Sequence, residues 1–144
     1  MTAVELQNRI NEATKEVARN YQKALKELGE LKTKINGLEL VIADNVYGKT
    51  SGDVDKLNFA LDELFNLTDF MIAESERARE EYEKLEHDCR IDASEPLGLK
   101  DLRDLCKKTD EFATDLLCYS LAHFKRIDTK NNQKASTPKG PRIS

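Results

Sequence analysis

From Leu57 to Cys89 the apolar and small residues recur at alternating steps of four and three: Leu57, Leu61, Leu64, Thr68, Met71, Ser75, Ala78, Tyr82, Leu85 and Cys89. Such steps keep side chains on one stripe of an α-helix, and a sustained seven-residue repeat makes that stripe a seam of the coiled-coil kind. A second run lies upstream at Val17, Tyr21, Ala24, Leu28, Leu31, Ile35, Leu38 and Ile42. Most of the chain is therefore committed to helix–helix contact.

The pattern predicts a first helix over about residues 3–46. Thr2 caps it, with Glu5 three residues on completing a capping box. Carried upstream from Val17, the repeat puts Thr14 and Gln7 at seam positions. Gly29 and Gly37 project away from the seam, where each costs roughly 1 kcal/mol of helix propensity without disturbing packing. Asn36-Gly37 is a turn signal, yet the seam stays in register through Leu38 and Ile42, so the helix is expected to run unbroken. Tyr47 to Gly52 reads as a loop, and Asp53 then caps a second helix over about 53–90. Pro96 and Gly98 interrupt the chain before a third helix over about 99–129. From Lys130 onward nothing offers itself for burial, so residues 130–144 are expected to form a disordered basic tail.

The apolar faces differ in width. Between Phe59 and Ile72 the second helix adds Phe59, Ala60, Phe65, Leu67, Phe70 and Ile72 to its seam. The end of the first helix is as broad, and Phe112, Leu116, Leu117, Tyr119, Leu121, Phe124 and Ile127 widen the third. A wide face needs more than one neighbour. Folding the helices back on one another brings all three broad faces to the pole near the first loop. The fold class that follows is all-α: an elongated antiparallel three-helix bundle, or coiled-coil hairpin, with the tail appended. At ~1.5 Å per residue the helices are roughly 66, 57 and 45 Å long. The opposite pole is expected to be thin and to leave part of the first two seams exposed.

Composition agrees with long, solvent-washed helices: 35% of residues are charged and there is no tryptophan, unlike thick sheets. Charge is unevenly shared. Residues 125–144 carry six basic side chains against Asp128, or +5, which leaves −9 on the remainder of a chain whose net charge is −4. No apolar run approaches the ~20 residues needed to cross a bilayer, and Met1 to Leu6 lack the features of a secretory leader. Cys89, Cys106 and Cys118 are an odd, widely spaced set, which suits reduced thiols in the cytoplasm or another reducing intracellular compartment.

Candidate chemistry is sparse. Ala43-Asp44-Asn45-Val46-Tyr47-Gly48-Lys49-Thr50 meets a loose form of the phosphate-binding loop, with Lys49 and Thr50 in the phosphate and magnesium positions. Such a loop needs a parallel sheet around it, and beyond Leu38 to Ala43 no segment reads as a strand. The eight residues are read as a plain connection. His87 and Cys89 are two apart on a helix and so point to different sides, while Glu83 and His87 have no second pair to complete a metal site. His87 is read as a surface residue, and Cys89, Cys106 and Cys118 as small packed ones. No nucleophile motif contains a serine or cysteine. Asn66-Leu67-Thr68 matches a glycosylation sequon but falls inside a helix. The expectation is no catalytic residue, no metal and no cofactor.

The function expected is a non-enzymatic helical interaction module (scaffold, adaptor or chaperone-like) whose partners are proteins, further copies of the chain included. Tyr21, Leu28, Leu31, Leu64, Met71, Tyr82 and Leu85 along the seams are the expected contacts. The alternative is a nucleic-acid-associated accessory protein, with Lys130, Lys134, Lys139 and Arg142 neutralising phosphates without reading sequence.

Overall fold

The structure, a computed structural model, describes residues 2–44, 51–92 and 96–136, with the backbone alone at 51 and 124–136. It contains three helices, α1 (Ala3–Asp44), α2 (Ser51–Ile91) and α3 (Leu99–Ser136). Each packs on the other two, α2 most extensively. Pairs such as Arg9–Asp88 and Lys34–Glu63 set α2 antiparallel to α1. Cys106 at the Ala78 carbonyl and Thr68 against Ser120 return α3 along α2. Among the described residues there is no strand. The all-α, antiparallel three-helix bundle stands. At 42, 41 and 38 residues, each helix is about 57–63 Å long.

Local chemistry explains most of the ends. Thr2 Oγ1 accepts from the Glu5 N–H at 3.1 Å and donates to Glu5 Oε1 at 3.1 Å, so one of the orphan donors of the first turn is satisfied. α1 continues through Asn36-Gly37, because a Cβ added at Gly37 would meet nothing within 4 Å and the seam on the other side holds the helix straight. α2 begins at Ser51, which moves Asp53 from the expected cap into the first turn, where a carboxylate still complements the helix dipole. Gly98, at φ 90°, takes a left-handed conformation that other residues adopt at a cost, and its carbonyl accepts from the Leu102 N–H at 2.9 Å.

Two expectations about the ends change. α3 does not stop at 129 but runs to Ser136, so Lys130 and Lys134 belong to the helix. From Lys130 to Ser136 there is neither proline nor glycine to break the helix. Residues 137–144, the rest of the expected tail, lie outside the described residues.

The seam of α1 also departs from the unbroken repeat. The buried positions are Leu6, Ile10, Ala13, Val17, Ala24, Leu28, Leu31 and Ile35, with Tyr21 half-buried among them. The steps from Ala13 to Val17 and from Val17 to Tyr21 are both four. Two successive steps of four shift the stripe around the helix, as a local unwinding of a heptad repeat does. Thr14 and Gln7 consequently leave the seam. Thr14 donates to the Ile10 carbonyl at 2.8 Å. Gln7 finds a better use on the flank, donating from Nε2 to the Leu97 carbonyl at 2.8 Å and accepting the Leu97 N–H at 2.9 Å. One side chain thus clips the α2–α3 connection to α1.

The interior divides into two apolar clusters. The broader, near the α1–α2 connection, joins Leu28, Leu31 and Ile35 to Leu57, Leu61, Leu64, Leu67 and Met71, and both to Phe112, Ala113 and Leu116. The second joins Leu6, Ile10 and Val17 to Ala78, Leu85 and Cys89 under Leu102 and Cys106. The far pole is therefore not bare, contrary to expectation: the first turns of α3 lie across it and seal both seams. Between the clusters is a polar waist. Glu74, only 5% exposed, accepts from Arg77 Nε and Nη2 at 3.0 and 2.8 Å and from Asn20 Nδ2 at 2.9 Å. Ser75 donates to Asp110 at 3.1 Å.

The offset in α1 has a direct test by chemical denaturation. Ile10→Ala, at a filled site, is expected to cost about 2–5 kcal/mol. Thr14→Ala, at the site an unbroken repeat would bury, is expected to stay within about 0.5 kcal/mol.

Candidate functional site

The residues expected to contact a partner turn inward. Leu28, Leu31, Leu64, Met71 and Leu85 are buried within the chain's own bundle. Tyr21 is half-buried, its ring edge-on to Phe112 at 5.3 Å. Tyr82 is also half-buried and donates to Glu86 Oε2 at 3.1 Å; burial, then that bond, holds its hydroxyl proton more tightly than usual. These seams are filled by α3. Of the expected phosphate contacts, Lys130 and Lys134 are on the last turns of α3 where only the backbone is described, and Lys139 and Arg142 are outside the described residues.

Nor do the candidate reactive groups converge. Leu38 to Asp44 is the last part of α1, not a strand, and Gly52 opens α2; Lys49 and Thr50 lie outside the described residues. His87 is exposed and Cys89 buried, on different sides of α2. Among the described residues no three His, Cys, Asp or Glu side chains stand close enough to hold a metal ion. No helix among them is long and apolar enough to cross a membrane. Thr68 of the sequon is buried, donating to the Leu64 carbonyl at 2.8 Å and 2.6 Å from the Ser120 hydroxyl.

Some of the ionisable groups that come together bind helix to helix, and others pair within one helix. Arg9 reaches Asp88 at 2.7 Å and Glu81 at 3.6 Å. Arg77 joins Glu74 and Glu16. Hydrogen bonding to Asp88 and to Glu74 respectively outweighs desolvation and makes both guanidinium groups still harder to deprotonate. His123, 3% exposed, sets Nδ1 3.2 Å from Glu39 Oε2, with Tyr119 edge-on to its ring at 4.5 Å. This contact ties the end of α3 to α1.

What remains on the outside is apolar and unevenly distributed. Phe59 (67% exposed), Phe70 (48%), Leu40, Val41, Leu117 and Leu121 stand in the half near the α1–α2 connection, while Val4, Ile91 and Leu97 are exposed at the opposite pole. Two grooves lie in the half near the connection, Leu117 and Leu121 lining the first and Phe70 the second. One, between α2 and α3, is a cavity of about 330 Å³ lined by Phe65, Thr68, Asp69, Leu117, Ser120 and Leu121. The other, between α1 and α2, is about 470 Å³ and has charged walls, with Lys23, Glu27, Glu30 and Lys34 facing Glu63, Asn66 and Phe70 over a floor of Ala24, Leu31 and Leu67. Sequence reasoning noticed Phe59, Phe70, Leu117 and Leu121 but took them for core. The usable signal was angular: Phe59 and Phe70, eleven apart, share a stripe on the far flank of the wide face.

No family model, curated protein or solved structure matches the chain. The arrangement itself is what bears on function.

The thiols are distinguishable. Cys118 is exposed, against expectation, because it falls between Leu116 and Ser120 and so opposite the seam of α3. Cys89 and Cys106 are buried; burial pushes the Cys89 thiol up and the Cys106 thiol up to about 11. A thiol reagent in mildly alkaline buffer is expected to label Cys118 at once, and Cys89 and Cys106 only as the bundle unfolds. Prompt labelling of all three would show that the second cluster opens readily.

Proposed function

We propose that the chain is a non-enzymatic helical interaction module, a scaffold, adaptor or chaperone-like element, that associates with further copies of itself. The observation that carries this reading is the group of large apolar side chains, Phe59, Phe70, Leu117 and Leu121 among them, exposed on the helix flanks of the half near the α1–α2 connection. Isolated exposed apolar residues are ordinary; a grouped set on helix flanks marks contact surface. Phe59 and Phe70 matter most, since covering a phenylalanine is worth about 1.5–3 kcal/mol. The polar contacts support the same reading, for Arg9–Asp88 and Arg77–Glu16 join α1 to α2. A bundle whose polar side chains serve its own rigidity is suited to presenting a fixed surface.

Light scattering on the full chain, coupled to size exclusion, tests this. The mass average is expected to exceed that of one chain and to rise with concentration. Phe70→Ser with Leu121→Ser, one change beside each groove, is expected to return it to a single chain with the helical circular dichroism intact. Deleting residues 137–144 is expected to leave the number of chains per particle unchanged. A single-chain mass at every concentration overturns the reading, and loss of association on deleting 137–144 moves it to the tail.

A further inference from the structure

We infer that the α1–α2 face pairs with the same face of a second copy, about a two-fold axis parallel to the helices. This rests on the self-association proposed above and names the surface and its geometry. α3 lies elsewhere: it meets α1 through Tyr21, Lys32 and Glu39, leaving the groove between α1 and α2 uncovered within the chain.

Two stripes border that groove. On α2, Glu63, Asn66 and Phe70 line it at steps of three and four, and Phe59, four residues before Glu63, continues the stripe beyond it. On α1, Lys23, Glu27, Glu30 and Lys34 follow steps of four, three and four and are continued by Gly37 and Val41. Lys34 Nζ is 3.6 Å from Glu63 Oε1, an oxygen shut off from solvent and without a hydrogen bond. The lysine is still 53% exposed and keeps donors to offer outward.

The charge pattern selects the axis. An axis along the groove lays α1 of one copy over α2 of the other, antiparallel and at an unchanged level. Since Lys34 and Glu63 are level within one chain, Lys34 then stands level with the partner's Glu63, and four alternating charges close a ring. Four residues on, Phe59 meets the partner's Gly37 and Val41. At Gly37 there is room, with nothing within 4 Å of where a Cβ would be. An axis across the helices would instead stack α1 on α1. Centred between Leu28 and Gly29, the level at which the whole stripe overlaps itself, it would put Lys23 over the partner's Lys34 and Glu27 over the partner's Glu30. Like charges oppose that arrangement. The face from Lys23 to Val41 is about 27 Å long and about 20 Å wide, so roughly 500 Å² per copy is covered, the low end for a specific interface, and the pairing is weak and concentration-dependent.

Charge reversal provides the test. Lys34→Glu and Glu63→Lys are each expected to weaken self-association by about tenfold, since attraction becomes repulsion at both symmetric sites. Mixing the two variants is expected to restore it, because each then offers the charge that the other lacks. Circular dichroism and thermal midpoints of each variant check that the bundle itself is intact. If the unaltered chain associates but neither variant changes it, this face is excluded while self-association stands, and Leu117→Ser with Leu121→Ser then examines the α2–α3 groove. Weakening without rescue on mixing overturns the cross-pairing. If the unaltered chain never associates, the broader proposal falls with this one.

Discussion

α2 has more apolar width than a single neighbouring helix can cover, and the architecture answers that excess. Its seam from Leu57 to Cys89 is one stripe, but Ala60, Leu67 and the aliphatic part of Glu74 add a flank on one side, and Phe65 and Ile72 a flank on the other. α1 takes the first flank, as the Asn20–Glu74 bond records, and α3 takes the second, where Phe65 meets Leu117 and Leu121. Two long helices alone would leave one flank wet. The third converts a hairpin into a closed bundle, and its early turns seal the pole that two helices would have left open.

Much of this was legible in the linear pattern because helix periodicity reports the angle of each side chain about its own axis. Three helices, their antiparallel order and the continuity of α1 through Gly37 all follow from that angle. The offset between Ala13 and Tyr21 was not chosen, since Ile10 and Val17 belong to both registers and only Leu6 against Gln7, and Ala13 against Thr14, distinguish them. The deciding contact, Gln7 to the backbone of Leu97, spans ninety residues and leaves no local trace. The candidate surface was the least legible part. Phe59 and Phe70 are apolar like their neighbours, and whether a flank is covered depends on how far α1 reaches around α2, a property of packing rather than of spacing. Cys118 fails for a simpler reason: its angle was available, and its size and polarity were given more weight.

The polar waist shows what fixes the helices lengthwise. Apolar seams with a seven-residue repeat tolerate sliding by one repeat, because leucine meets leucine again. A buried carboxylate does not. Glu74 keeps Arg77, on its own helix, in any register, but it meets Asn20 of α1 in only one, and Ser75 meets Asp110 of α3 in only one, so a slide leaves enclosed polar groups without these partners at about 1–3 kcal/mol each. Thr68 with Ser120 repeats the device one layer up. These groups add little net stability over apolar residues of the same size. What they contribute is a single register, and a rod in one register is the condition for any surface stripe to hold constant spacing.

That constancy bears on why the exposed phenylalanines lie along a side of the rod rather than at its tips. Contact between the opposite tips of two copies is heterologous, and heterologous contacts that do not close propagate into open chains. A flank offers an isologous alternative that closes at two copies. For this the flank must carry charge as well as apolar area, because apolar area alone accepts a second rod in either direction. The positions from Lys23 to Lys34 read the same in charge from both ends, which penalises an α1-on-α1 stacking in full overlap, whereas α1 over α2 brings opposite charges together with the stripes fully overlapped. In the proposed pairing, the phenylalanines supply attraction and the lysine–glutamate pairs supply direction, and both depend on the fixed level of Lys34 against Glu63 that the waist maintains.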